Sequence, residues 1–349
     1  MCSAALRLPL SLSPRPDGIV PRVKLKQVAS LLAVTLVLPT LPAAAGAQEP
    51  PGPAAARAQE RPGPAAARAQ ERPGTAADLR ERFAQRLEEI ARRVDGVAGY
   101  CIVDLTSGDR FTRLENAVFP TASTIKLAIL YELFVQAQEG RLRLDQQKTL
   151  DRAAAVGGAG ILVELGTPTL SLRDYAQLMI LLSDNTATNV IIDAVGMANV
   201  TARMRALGLP DTRLRRKMMD GDAARRGDEN VSTPNEMARL LEIFHEGQGL
   251  TPASREDALA ILKKGRGSSL ARVIPAGVEV ASKAGDLDAV RADAGIVLAK
   301  NRPYLIAVMT SWLQDDSAGG TAIEDLSRAA YEYFGRLGVS SPYGRAIDR

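Results

Sequence analysis

From about Asp78 onward the hydrophobic pattern changes period in a fixed order, and that order constrains the fold more than any other feature. Leu79, Phe83, Leu87, Ile90 and Val94 recur at helical spacing. Residues 97–105 form an apolar, β-rich run that Thr106-Ser-Gly-Asp109 ends with a hairpin signal. Residues 125–142 are helical and strongly apolar, and further helical patterns fill the middle of the chain. Strand patterns return at 277–282, 294–298 and 304–310, before a final amphipathic helix at 323–337. The economical arrangement is an α+β fold. One antiparallel sheet takes strands from both ends and is flanked by helices, and it packs beside an all-helical lobe formed by the middle. A cleft between the two is the natural place for a site.

Two segments precede this domain. Arg22-Val-Lys24-Leu-Lys26 is a basic stretch, residues 28–38 are almost wholly apolar, and Ala45-Gly46-Ala47 is a small-x-small cleavage pattern before Gln48. Residues 1–47 therefore read as an export signal, directing the protein to the periplasm or the medium. The competing reading, an uncleaved membrane anchor, is disfavoured by the shortness of the apolar run and the Pro39 and Pro42 that follow it. The segment before Arg22 is unusual for a signal and is consistent with a start further downstream. Residues 48–77 are a spacer in which Pro51-Gly-Pro-Ala-Ala-Ala-Arg-Ala-Gln-Glu-Arg61 recurs from Pro62 and begins again at Pro73. An eleven-residue period can mark a right-handed coiled coil, but each unit here carries Pro-Gly and no large apolar residue, so a disordered or partly extended spacer is expected. The folded domain is then 78–349.

Charge and composition exclude several functions. The net charge of +4 comes from the export signal, whose five basic residues outnumber its single acid. Without it 39 basic and 39 acidic residues remain, which leaves no electrostatic footprint for nucleic acid. One histidine and two cysteines cannot build a zinc cluster or a disulfide framework, so neither metal nor cofactor is expected. Once the signal leaves with Cys2, Cys101 is the only thiol, set in an apolar strand pattern and read as core. A monomer without stable membrane insertion is expected, acting on a small molecule.

Three short motifs carry chemistry. Ser123-Thr-Ile-Lys126 falls where an extended segment becomes a helix. The hydroxyl lies near the positive end of the helix dipole, and a lysine three residues on shares its face. A desolvated Lys126 with a lowered pKa could take the proton of Ser123. The alternative is a plain N-cap with a solvated lysine, but Lys126 is surrounded by Ile125, Leu127, Ile129 and Leu130. With 18 Ser and 9 Lys in the chain, chance supplies roughly half of one such spacing, so context matters. Ser183-Asp184-Asn185 follows an apolar run and could relay a proton and hold an amide, or be only a polar turn. Lys283-Ala284-Gly285, at the end of the expected strand, offers an ammonium for an anion and a close backbone approach at Gly285. The N–H groups of Ser123 and Asp286 could together form an oxyanion hole.

Taken in this order the three motifs resemble the set found in class A β-lactamases and penicillin-binding proteins. The surrounding stretches, Phe119-Pro-Thr-Ala-Ser-Thr-Ile-Lys-Leu127 and Leu182-Ser-Asp-Asn-Thr-Ala-Thr-Asn189 among them, are similar too, over roughly 78–338. The resemblance implies the same two-part fold with its site between the parts. It further implies Ser123 as acylated nucleophile, Lys126 as the acylation base or part of its proton network, Ser183 as proton donor to the leaving nitrogen, and Asn185 holding a substrate amide. Lys283 would bind a carboxylate, helped by Arg291.

Two departures qualify this. Ala284 replaces the usual hydroxyl residue, a loss on the order of 1.5–3 kcal/mol for a charge-assisted bond. More serious, the position of the glutamate that activates the deacylating water is Met218, counted on from Thr212-Arg213-Leu214. Asp220 is the first candidate to replace it, with Asp222 and Glu229 behind. His245, in an amphipathic helix distant from the motifs, is expected to pack and not to form a Ser-His-Asp triad. The expected function is β-lactam hydrolysis with slow deacylation. The alternatives are a D,D-peptidase, a small esterase, or a non-catalytic wall-binding module.

Overall fold

The computed structural model describes residues 74–265 and 267–347. The segment read as an export signal and the repeats up to Pro73 lie outside the described residues. Helix α1 spans Gly74–Arg92 and so takes in residues 74–77, which the repeat period assigned to the spacer. Phe83, Leu87, Ile90 and Ala91 anchor it by burial, and no proline after Pro73 stops it running back to Gly74.

Five strands make one antiparallel sheet: β1 Val97–Asp104, β2 Arg110–Arg113, β3 Val280–Leu287, β4 Val290–Val297 and β5 Tyr304–Ser311, in the order β2–β1–β5–β4–β3. The strands do come from both ends of the domain. β3 is longer than its apolar pattern suggested, because full-length pairing with β4 carries it through Lys283, Ala284 and Gly285 to Leu287. Side chains alternate between faces along β5. Leu305, Ala307 and Met309 join the core on the lobe side, while Tyr304, Ile306 and Val308 join the other. Both faces being buried explains the continuous apolar runs. Cys101, on β1, is fully buried in the lobe-side core, and burial pushes its thiol up to about 11.

The helical lobe surrounds α2, Lys126–Gln138, which is buried on every side and accordingly apolar all round. It ends at Gln138, earlier than the expected Leu142, where Gly140 turns with φ of 72°. Helices α3 Leu172–Leu181, α4 Asn185–Val195 and α5 Met197–Ala206 pack around it. After the short α6, Gly221–Arg225, helix α7, Pro234–Glu246, lies across the lobe-side face of the sheet, and α8, Pro252–Leu262, bridges lobe and sheet. The far face is covered by α1, by α9, Ser269–Arg272, and by the long α10, Asp316–Gly338.

Aromatic rings fasten α1 to that far face. Phe83 stacks on Tyr333 with centroids 4.1 Å apart and meets Phe111 edge-on at 4.7 Å. Phe83→Ala should lower the unfolding free energy by about 3–5 kcal/mol in urea denaturation. A loss under about 1 kcal/mol would mean that α1 contributes little to the core.

Candidate active site

Ser123 sits in a 3₁₀ turn, Ala122–Ile125, that feeds directly into α2. The residue before it, Ala122, is held at a φ of 46°, a conformation that aims the following segment sharply into the helix. Ser123 lines a cavity of about 710 Å³ between lobe and sheet. Lys126, one turn on, is 0% exposed. Its amine lies 2.7 Å from the Ser183 carbonyl oxygen, 3.1 Å from Ser183 Oγ and 3.1 Å from Asn185 Oδ1. Burial holds the amine well below the usual lysine range, and the nearby charge of Lys283 pushes the same way. All three of its hydrogen bonds go to the second motif; none reaches the Ser123 hydroxyl.

The second motif is a built turn and not a polar accident. Ser183 is held at a φ of 53°. Asp184 caps α4 by accepting from Ala187 N at 2.8 Å, and its other oxygen accepts from Ile161 N at 2.7 Å and Leu162 N at 2.9 Å. Asn185 places its amide oxygen on Lys126 and donates one N–H to Gly157 O at 3.0 Å, leaving its second N–H for the cavity it lines. The loop at 157–162 comes so close that a Cβ on Gly160 would lie 2.2 Å from Asp184 Cγ.

The third motif faces Ser123 from the sheet edge. A Cβ on Gly285 would lie 2.5 Å from the Ser123 amide nitrogen, so only glycine lets β3 approach the turn this closely. The N–H of Arg291, paired across from Asp286, turns away to Thr310 Oγ1 at 3.1 Å. By the alternation of an antiparallel ladder, the N–H of Asp286 therefore leaves β3 on its open edge, beside Ser123. Lys283 is buried, lines the cavity, and donates to the Ala284 carbonyl. Desolvation lowers its amine to about 8, against the opposing pull of Asp293 and Asp286.

Arg291 lies elsewhere. It does not line the cavity, and its guanidinium is committed to Asp286 at 3.3 Å, to Asp316 at 3.1 Å and to the carbonyls of Leu287 and Val290. It braces the β3–β4 hairpin and has no free fork for a substrate carboxylate. On the loop wall, Met218 is buried with its backbone clamped by Asn189, which accepts from Met218 N at 2.9 Å and donates to Met218 O at 3.1 Å. Asp220 lines the cavity but spends one oxygen capping α6 at Ala223 N, 2.9 Å away. Glu229 lines it as well, bound to Arg216 at 2.8 Å. Asp222 is exposed, pairs with Arg225 and stands outside the lining. His245, half-buried on α7, is also outside it. Sequence reasoning missed the structural duty of Asp184, the Asn189 clamp and the Gly158–Gly160 approach; the Gly157-Gly158-Ala159-Gly160 cluster was the available signal. Among the described residues no cluster of His, Cys, Asp and Glu could hold a metal.

Known proteins share this fold. The model of the beta-lactamase enzyme family matches residues 82–334. An imipenem-hydrolyzing beta-lactamase of Enterobacter cloacae is 30% identical over 226 residues, 62% of this chain and 77% of that protein. The crystal structure of a beta-lactamase from Sphaerobacter thermophilus superposes with a TM-score of 0.68 at 32% identity, covering 72% of this chain and 97% of that one. A mutant of PBP-A, captured as an acyl-enzyme complex with penicillin G, gives a TM-score of 0.68 at 30% identity over 74% of this chain and 97% of its own.

Asp184 satisfies three backbone N–H groups, those of Ile161, Leu162 and Ala187. Asp184→Ala should lower stability by on the order of 3–5 kcal/mol and expose the amides of Ile161 and Leu162 to hydrogen exchange. Unchanged protection of those two amides would show that the loop is held by other contacts.

Proposed function

This chain belongs to the beta-lactamase enzyme family, and from that premise we propose an active-site serine hydrolase that opens the β-lactam ring through an acyl-enzyme on Ser123. The observation that carries the proposal is the fully buried amine of Lys126, bonded to Ser183 and Asn185 within the cavity that Ser123 lines.

In this mechanism neutral Lys126 takes the proton of Ser123 as its Oγ forms a bond to the lactam carbonyl carbon. Hydrogen bonds at such sites often tighten only when substrate arrives, so the bonding of Lys126 to Ser183 and Asn185 in the free protein is compatible with the step. The oxyanion is held by the N–H groups of Ser123 and Asp286, on facing backbones. The ring C–N bond then breaks, and Ser183 hands its proton to the leaving nitrogen. The 3.1 Å contact between Ser183 Oγ and Lys126 returns the proton from the amine to that hydroxyl, so the transfer balances. A hydroxyl can donate or accept, so this contact suits both charge states of the lysine. Asn185 directs its remaining N–H at the substrate's side-chain amide, and Lys283 pairs with the substrate carboxylate.

Hydrolysis of the acyl-enzyme is the slow step in this reading. Met218 cannot activate water, Glu229 is tied to Arg216, and Asp220 is partly spent as a cap. The same wall supports a second reading, a D,D-peptidase, whose acceptor need not be water activated by a carboxylate. The basic, apolar and small-residue succession at the N-terminus supports export to the periplasm, and no helix among the described residues is long and apolar enough to cross a membrane.

Mass spectrometry after exposure to penicillin should show a single acyl adduct on Ser123, absent from Ser123→Ala. Steady turnover of a chromogenic cephalosporin should trail acylation by at least about 10²-fold. No adduct with any β-lactam or activated ester would remove the enzyme from consideration in favour of a wall-binding module. Fast turnover would assign water activation to another group, with Asp220 the first to substitute. Release of D-alanine from a D-alanyl-D-alanine peptide would favour the peptidase.

The pH dependence follows from the two lysines. Lys283 is an ammonium below about 8 and neutral above it, so anion binding is present on the acid side and lost as pH rises through that value. The acylation efficiency of penicillin should fall above about pH 8, while that of a neutral activated ester should not. Parallel curves for the two substrates would exclude Lys283 as the carboxylate partner.

A further inference from the structure

Behind the carboxylate side of the cavity, on the opposite face of the sheet, lies a buried acid with no role in the mechanism so far. Asp293, on β4, is 0% exposed and sits in ladder register with Ala284, the residue after Lys283. Its Oδ2 accepts from Ser268 Oγ at 2.8 Å and Leu270 N at 3.1 Å, at the start of α9. Its Oδ1 is buried with no hydrogen-bond partner, and among the described residues no cation contacts it. A carboxylate placed only to cap α9 would need neither its charge nor its second oxygen, since an asparagine would accept the same two bonds.

The charges around it are few. Arg291, on its own strand, is committed to Asp286 and Asp316, and Arg272 of α9 pairs with Glu324 of α10. From β3 it feels the charges of Lys283, through the sheet, and of Asp286. Lys283 in turn faces the like charge of Lys126 from α2, the carboxylate of Asp286, which is 69% exposed, and Asp293. Its amine folds back onto the carbonyl of Ala284, the ladder partner of Asp293. Two opposite charges are thus buried a strand apart, each without a direct ionic partner among the described residues. Buried charges in that state persist when they compensate one another.

We propose that Asp293 is a positioning residue for the substrate-carboxylate site: its buried charge behind the edge strand keeps Lys283 an ammonium and so sets the pH range over which the cavity holds an anionic substrate. The inference rests on Lys283 being the carboxylate partner. Burial raises Asp293 to about 6 and lowers Lys283 to about 8, so both are charged between those values. Without Asp293 the lysine gives up its proton at lower pH, and anion binding goes with it.

The test compares the full-length protein with Asp293→Asn, which keeps the two bonds at α9 and removes the charge. Penicillin acylation efficiency near pH 8 should fall by about fivefold in Asp293→Asn, through KM, with the alkaline limb moved by about one unit to lower pH. The neutral activated ester should retain its wild-type rate. In an Asp293→Asn, Lys283→Arg double variant the limb should vanish, because a guanidinium stays charged throughout. Should Asp293→Asn fail to fold, Ser268→Ala serves instead. It removes one hydrogen bond to the carboxylate, which then keeps its proton to higher pH, and the penicillin limb moves the same way by a smaller amount. An unmoved limb in whichever variant folds, or equal losses for both substrates, would overturn the proposal. Failure of the underlying functional reading is distinguishable, since wild type would then form no adduct with either substrate.

Discussion

A lysine amine with no exposed surface is the constraint from which the site is built. Burying an ammonium costs several kcal/mol unless it is paired or gives up its proton. The chain uses both remedies at Lys126, supplying oxygens from Ser183 and Asn185 and holding the amine in surroundings that favour its neutral form. Those oxygens reach the amine only because the turn between α3 and α4 is held at the positive φ of Ser183. That turn is held by Asp184, whose three hydrogen bonds tie α4 to the 157–162 loop. A local cost in backbone strain is offset by a buried, satisfied carboxylate next door.

The sheet answers with a single absent side chain. β3 is an edge strand, and its open edge must lie against the turn carrying Ser123 if two N–H groups are to converge on one oxygen. At Gly285 there is room for a hydrogen and nothing larger. The approach of lobe and sheet is therefore fixed at one point by glycine, while the β3–β4 hairpin beyond it is braced by Arg291 against Asp286 and Asp316. Rigidity behind the donors and freedom from a Cβ in front of them are what an oxyanion site requires.

The layout was legible in the sequence because the periodicities were unambiguous: apolar runs at both ends, an all-round apolar α2 between. The motif residues Ser123, Lys126, Ser183, Asn185, Lys283, Gly285 and Asp286 were also legible, since their spacing carries chemistry. What escaped was whatever depends on pairing across distance. β3 runs on to Leu287 because β4 pairs with it, which no local propensity reports. Arg291 reads as a free cation until Asp316, remote in sequence, is seen to hold it. Asp293, in the pattern Ala292-Asp-Ala294, reads as one polar residue in a strand, and only the buried, partnerless oxygen sets it apart. The start of α1 was hidden by a repeat whose last copy dissolves into helix after Pro73.

Met218 unites the electrostatics with the chemistry. A carboxylate on that wall would do two things: activate water, and by its negative charge raise the proton affinity of the buried amine nearby. A thioether does neither. One buried lysine, Lys283, lines the cavity and a second, Lys126, lies behind Ser183 and Asn185, while the acids on the loop wall are tied to Arg216 or to the cap of α6. Burial and Lys283 thus both favour the neutral form of Lys126, with Asp184 pulling the other way. Neutral lysine is the form that can take the proton of Ser123. In the proposed mechanism a methionine there would both withhold a base from the attacking water and leave the acylating amine ready, and the covalent intermediate would accumulate ahead of its turnover.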